Sequence, residues 1–214
     1  MSYNKDLITH KLIRWENYMT HYKLPAWKEL PDIGLYMDQV IALLGQYLDF
    51  IPVEDQKNRP VTPTTLNNYV RLKVMPAPHK RKYYRIHIAY LIMIFTMKQG
   101  ISLGGIQQLL PDGENEEEVR SFYTSYVERL RKVANVFTQQ TRETAKGLLE
   151  PEGVAEITVE DVILQSILSS GFARIMAEKL LNLYGADSEQ VMEQERINDE
   201  NGVHPLYRVE PKEE

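Results

Sequence analysis

No cysteine occurs among the 214 residues of the chain. Structural disulfides, thiolate metal sites, iron-sulfur clusters and cysteine nucleophiles are thereby excluded. Long apolar runs are also missing, because the longest, Ile86–Met97, covers about twelve residues whereas a membrane helix needs roughly twenty. Residues 1–15 mix charged residues with isolated apolar ones, unlike a secretory signal. We therefore expect a cytoplasmic protein with no membrane partner.

Acidic residues are absent from one long segment in which basic residues are concentrated. Between Gln56 and Pro111 the chain has no Asp or Glu but nine Lys and Arg, which gives this basic segment a charge of +9. The rest of the chain carries the other 16 of its 25 basic residues and all 30 acidic ones, a division hidden by the net charge of -5. Such a local excess attracts a polyanion, so nucleic acid is the first partner to consider; a solvated Lys/Arg surface is the alternative.

Apolar residues recur at intervals of three and four along most of the chain, which predicts a mainly α fold. An amphipathic helix near the N-terminus ends before Pro25, and a long helix after Gly113 carries an apolar stripe from Val119 to Phe137. This stripe suits an antiparallel helix pair as well as a coiled-coil dimer. The predicted regions are an N-terminal helix and connector (1–35), a compact domain (36–110), a helical dimerisation or effector region (114–185) and an acidic, partly disordered tail (186–214).

Local signals divide the basic segment into a short helix, a turn and an apolar helix. The short helix begins with Thr62 as its N-cap and Pro63 at its first position. Residues His79–Tyr84 combine turn-forming basic residues with two aromatics, which is compatible with a small hairpin. The apolar helix covers residues 85–99 and is closed by Gly100. Side-chain oxygens that can cap helices are predicted at Thr62, Ser102 and Thr158.

Four stretches of the sequence form a recognisable set: Thr62–Tyr69, Val74–Pro78, Lys82–Tyr84 and Gln99–Leu110. Together they resemble the winged helix-turn-helix of MerR-type transcription regulators over about a third of the chain. The whole chain is also similar to an uncharacterised family of bacterial proteins in which a MerR-like module is followed by helices. The resemblance implies a mainly α fold with a winged helix-turn-helix domain over residues 36–110 and a small β wing.

In MerR-type regulators the short helix enters the major groove and the wing lies along the DNA backbone. The resemblance therefore implies DNA contacts from Thr64, Thr65, Asn67, Asn68 and Tyr69 in the helix and from Lys80, Arg81, Lys82 and Tyr84 in the wing. Thr62 would cap the helix and turn its first amides toward a phosphate. Three further cations of the basic segment complete the predicted site: Arg71, Lys73 and Arg85. Asn can pair with adenine, and Lys and Arg can neutralise phosphates.

Alternative interpretations of this site remain open. Asn67 and Asn68 stand where many family members have Arg-Tyr, and they could form a polar surface pair instead of base contacts. Tyr69 could be a core residue. The loop from Ile51 to Val61 is longer than the tight turn expected between the first two helices of the module.

We expect a bacterial transcription regulator that binds double-stranded DNA and forms a homodimer. The alternative is an adaptor that binds other proteins through its helices and no longer binds DNA. No nucleophile-base pair, paired-carboxylate motif or cofactor loop is discernible, so we expect no enzyme and no cofactor. The histidines at positions 10, 21, 79, 87 and 204 lack metal-ligand spacing, and no metal is expected.

A small organic effector is left open by the sequence. An aromatic-rich N-terminal segment could line its pocket or could pack in the core instead. The aromatic residues of this segment are Tyr3, Trp15, Tyr18, Tyr22 and Trp27.

Overall fold

The computed structural model describes residues 3–51, 61–113, 115–149 and 157–200. They divide into two compact units, one within Met1–Arg174 and the other within Ile175–Glu214. Most of the predicted loop at residues 51–61, most of the predicted linker at residues 151–157 and the end of the tail lie outside the described residues, as do Lys57, Arg59 and His204.

Helices account for nearly all of the regular structure, so the mainly α class is confirmed. Their bounds are α1 Lys5–His21, α2 Met37–Tyr47, α3 Pro63–Arg71, α4 Arg85–Met97, α5 Leu103–Leu109, α6 Glu116–Thr144, α7 Lys146–Leu149, α8 Val159–Asn182 and α9 Ser188–Glu200, with a short 3-10 helix at Trp27–Glu29.

The predicted β wing is not supported, since residues 79–83 form a tight turn without a strand. His79 and Lys82 make one antiparallel bridge, and Tyr83 makes another with Leu35, the two exchanging hydrogen bonds of 2.8 Å. The residues on either side of the turn cannot extend these bridges into a pair of strands. Pro78, directly before the turn, has no N–H to donate, and Tyr84, directly after it, is already the N-cap of α4.

Helix α4 lies at the centre of the main core. Nine consecutive residues, from His87 to Phe95, are buried, which follows from an apolar surface on every side of the helix. The core extends from Leu24 to Tyr123 and includes side chains from α2, α3, α5 and α6. The helix ends at Met97 with Lys98 as its C-cap, so Gly100 is not the capping residue that the sequence predicted.

The apolar stripe of α6 packs against helices of its own chain. Val119 and Tyr123 are buried in the main core, and Phe122, Tyr126 and Leu130 are partly buried against it. Farther along, the ring of Phe137 meets that of Trp15 in α1 edge to face, with 5.7 Å between centroids. The stripe therefore packs within the chain as far as Leu130, whereas Val133 is 67% exposed and Phe137 is 42% exposed.

Helices α8 and α9 follow residues 150–156, which lie outside the described ranges. The cap predicted at Thr158 is confirmed, because its hydroxyl accepts from the amide of Asp161 at 3.1 Å while the Asp161 carboxylate accepts from the Thr158 amide at 2.9 Å. Part of the acidic tail is helical, since α9 covers Ser188–Glu200. Its first turn is capped by Asp187, whose carboxylate accepts from the amide of Glu189 at 2.9 Å.

Candidate nucleic-acid interface

The start of α3 is fixed by the predicted cap. The Thr62 hydroxyl accepts a hydrogen bond from the Thr65 amide at 3.1 Å, and Pro63 occupies the first helical position. The hydroxyl of Thr65 lies 2.8 Å from that of Thr62, so it is engaged within the cap. Thr64, between them, is exposed. The helix thus begins with one free threonine and one that is part of its own cap.

The two faces of α3 differ sharply in chemistry. Leu66 faces the core with no exposed surface, whereas Asn67 and Arg71 are exposed on the outer side. Asn68 is half-buried, and its side-chain oxygen accepts a hydrogen bond of 2.7 Å from the Arg71 guanidinium. The outer face therefore presents amide and guanidinium donors, the groups that suit base edges and phosphates.

Tyr69 belongs to the core and not to the surface. The residue is 1% exposed, and its ring meets that of Phe95 edge to face at 5.5 Å. Its hydroxyl is buried without a hydrogen-bond partner among the described residues, and burial raises its pKa to about 12. A side chain in this position cannot reach DNA, so the predicted contact from Tyr69 is replaced by the alternative of a core residue.

The backbone after α3 contains an unusual feature at Lys73. The amide of Val74 donates to the Tyr69 carbonyl and that of Lys73 to the Val70 carbonyl, each at 3.0 Å, which is the Schellman arrangement. Lys73 holds its left-handed position with φ of 56°. Glycine usually occupies this position, because a left-handed conformation costs an L-residue roughly 1–2 kcal/mol.

The basic turn, His79–Lys82, contains two more residues with a left-handed backbone. Lys80 and Arg81 have φ of 48° and 64°, and the Lys82 amide donates to the His79 carbonyl at 2.9 Å. Two central residues with positive φ define a type I′ turn, which ordinarily favours Asn and Gly. Every non-glycine residue with positive φ in the described part of the chain is thus a cation of the basic segment.

His87 fastens the basic turn to the core. Its Nδ1 accepts a hydrogen bond of 3.0 Å from the Tyr84 amide, so Nε2 carries the hydrogen and donates to the Ala77 carbonyl at 3.1 Å. Burial lowers the pKa of this imidazole. No role is assigned to His87 in the sequence analysis, although its place three residues after the N-cap Tyr84 is the capping-box spacing.

Gly34 supports the basic turn from its other side. A Cβ at this position would lie 2.9 Å from Cδ of Lys82 and 2.9 Å from Cζ of Tyr84, so no larger residue fits without moving them. The ammonium of Lys82 lies 5.3 Å from the ring centre of Tyr36. The stretch before α2 therefore positions two predicted site residues, and no local sequence signal predicts this long-range approach.

The exposure of the predicted site residues falls into three classes. Exposed residues are Thr64, Asn67, Arg71, Lys73, Lys80, Arg81 and Tyr84; half-buried residues are Thr62, Thr65, Asn68, Lys82 and Arg85; Tyr69 is buried. Arg85 is engaged in the fold, since it donates to the Leu30 carbonyl at 3.1 Å and lies 3.5 Å from the Asp32 carboxylate.

The other cations of the basic segment have no acidic partner in the described part of the chain. Arg85 alone among them forms an ion pair there, which leaves six without one: Arg71, Lys73, Lys80, Arg81, Lys82 and Lys98. Lys98 lies 5.7 Å above the ring centre of Tyr69, near α3. Lys73 and Lys80 are seven positions apart along the chain, so their Cα atoms lie within ~25 Å of each other.

Neither a metal site nor a membrane helix is found in the described ranges. They contain no cluster of His, Asp and Glu that could hold a metal ion, and none of their helices combines the length and apolar content needed to cross a bilayer.

Two cavities lie beside the aromatic residues of α1. The cavity beside Trp15 has a volume of about 10 Å³, which is room for a single water, so Trp15 does not line an effector pocket there. Tyr18 and Tyr22 line a larger cavity of about 330 Å³ together with Tyr47 and Asp49. This volume is in the range of small-molecule sites, so an effector pocket at these two tyrosines stays a prediction.

Comparison with known proteins gives one match. The family described as Domain of unknown function (DUF1836) matches residues 25–128. This range contains α2 to α5, the basic turn and the first part of α6. No curated protein and no solved structure matches the chain.

Proposed function

We propose that this protein is a bacterial transcription regulator that binds double-stranded DNA through the basic segment and acts in the cytoplasm. The supporting observation is the group of six cations without a described acidic partner, three of which hold backbone conformations that favour glycine. Unpaired cations raise the local positive potential, and the local strain is retained although glycine would relieve it. Both features are expected where charge serves binding more than stability.

Helix α3 is suited to the major groove by size and by chemistry. With its side chains, an α-helix is about 10–12 Å across, and the major groove is about 12 Å wide. Its outer face offers Thr64 and Asn67, whose polar groups can contact base edges. Arg71, Lys73 and Lys98 near its end then supply phosphate contacts. In this proposal α3 reads the bases and the basic turn, Lys80 and Arg81 in particular, takes the place of a wing on the backbone.

The experiment is a DNA-binding titration with the full chain. Fluorescence anisotropy against fragmented genomic DNA, repeated across a salt series, is followed by sequencing of the bound fragments. We expect tight binding, a steep fall in affinity with salt and one enriched motif. The double variant Lys80→Ala/Arg81→Ala should lose affinity for all sequences and lower the salt slope by roughly two.

Lys132→Ala is the matched control, because this exposed lysine lies in α6, outside the basic segment. It should bind like the parent. Flat isotherms for the parent at low salt would overturn the proposal and favour the adaptor. Equal losses in the control and in the double variant would show that the effect is one of overall charge and not of this site.

A further inference from the structure

Helix α8 turns its polar side toward its own chain. Gln165, Ser166, Ser169 and Ser170 line a groove of about 250 Å³ whose other wall includes Thr141 and Thr144 of α6. In the part of α8 up to Arg174, Val162 is the one buried residue. A surface helix normally places its apolar side against the body of the protein, so this orientation is reversed.

The opposite side of α8 is apolar and exposed. At 100° per residue, Ile163, Leu164, Ile167, Leu168 and Phe172 lie across the helix from the groove, and they are 39% to 71% exposed. These five side chains together present on the order of 600 Å² of apolar surface. A monomer rarely exposes more than a few hundred Å² in one patch, and each partner in a standard interface buries ~800 Å².

Gly171 lies in the middle of this exposed side. A glycine inside a helix is less stable than alanine by about 1 kcal/mol. A Cβ at this position would meet nothing within 4 Å, so packing within the chain does not require the glycine. The missing side chain instead leaves room for the backbone of another helix to approach closely, which is a common use of glycine in proteins.

We propose that this face of α8 is the interface between two copies of the chain, and that the two α8 helices cross at Gly171. From Val162 to Ala173 the helix has no charged residue, so a symmetric pair brings no like charges together. A lipid surface fits less well, because Glu160 and Asp161, just before this face, would be repelled by anionic headgroups. The α6 stripe packs within the chain as far as Leu130, so α8 carries the longer exposed apolar side.

The test measures mass and cross-linking of the full chain. Light scattering at tens of micromolar should give twice the chain mass of 24.9 kDa for the parent. Gly171→Trp should raise the dimer dissociation constant by roughly tenfold or more. Its thermal unfolding should match that of Gly171→Ala, because the monomer has space at this position. Gly171→Ala, with its small side chain, should remain largely dimeric.

Cross-linking gives an independent readout, because the chain has no cysteine of its own. Gly171→Cys should form disulfide-linked dimers under mild oxidation, whereas Ser169→Cys, which faces the groove, should form few. A monomeric parent, a Gly171→Trp variant as dimeric as the parent, or equal cross-linking at both positions would overturn the proposal. So would a monomeric parent that sediments with anionic phospholipid vesicles. These outcomes do not depend on DNA, so they are separable from a failure of the proposed function.

Discussion

The imidazole of His87 and the carbonyl of Ala77 are joined by a hydrogen bond of 3.1 Å that encloses the basic turn. His87 is 5% exposed and sits in the first turn of α4, while Ala77 lies between two prolines on the far side of the turn. A buried donor and a rigid backbone are thus joined across ten residues. The cations at Lys80 and Arg81 project from a loop whose two ends are held by the core.

The burial of His87 makes the stability of the fold depend on pH. Burial lowers the pKa of His87, so the folded chain holds it neutral where the unfolded chain, with an ordinary value of 6.5, takes up a proton. The stabilising contribution is complete above about pH 6.5 and decreases as the pH falls through the lowered pKa. We expect the melting temperature of the parent to fall between about pH 7.5 and about pH 5.5 by more than that of His87→Gln. Parallel decreases in scanning calorimetry would contradict this role of His87.

Glycine at the strained positions should separate stability from binding. Lys73→Gly and Lys80→Gly relieve a left-handed conformation, so each should leave the free energy of unfolding unchanged or raise it by up to ~1 kcal/mol. Each should also weaken DNA binding and lower the salt slope by about one. The control Lys132→Gly lies inside α6, where glycine should cost about 1 kcal/mol and binding should not change. Glycine variants that bind DNA as tightly as the parent would refute the proposed use of these cations.

The two asparagines of α3 should behave differently. The exposed side chain of Asn67 has no hydrogen-bond partner among the described residues, whereas the oxygen of Asn68 already accepts from Arg71. We expect Asn67→Ala to change the motif enriched among bound fragments, with a loss of ~1–3 kcal/mol of discrimination at one base pair. Asn68→Ala removes the hydrogen bond that orients Arg71, so it should weaken binding to all fragments alike. An unchanged motif in Asn67→Ala would remove Asn67 from the base contacts.

Tyr69 offers a test of its assignment to the core. Tyr69→Phe removes a hydroxyl that is buried without a described partner, while keeping the ring against Phe95. The free energy of unfolding should stay the same or rise by about 1 kcal/mol, since a buried unpaired polar group is unfavourable. DNA affinity should not change. Chemical denaturation measures the free energy of unfolding, and anisotropy measures the DNA affinity. A loss of affinity in a fully stable variant would show that Tyr69 contributes to DNA binding.

Features decided within a few residues were predictable. The caps at Thr62 and Thr158 depend on oxygens three residues from the amides they bind, and both are confirmed. The buried helix α4 follows from its continuous apolar sequence. Gly100 shows the limit of such signals, because α4 ends at Met97, with Lys98 as its C-cap, before the glycine is reached.

Longer-range features were not predictable in the same way. No sequence pattern near Gly34 predicts that Lys82 and Tyr84 pack against it. The residues around Lys73 likewise do not predict a left-handed backbone, which glycine usually adopts. The β wing was wrong because strand length depends on what the chain does on both sides of the turn. There Pro78 and the start of α4 leave no room for a ladder.

The mainly α class, the basic segment and the apolar stripes follow from the order of residues alone, because charge and helical periodicity are properties of that order. Which stripe is covered depends on the tertiary structure. The stripe of α6 meets α4 and α1, whereas the apolar side of α8 points away from the chain. Burial is a property of the whole fold: α8 is the more apolar of the two helices, yet the stripe that other helices of the chain cover is that of α6.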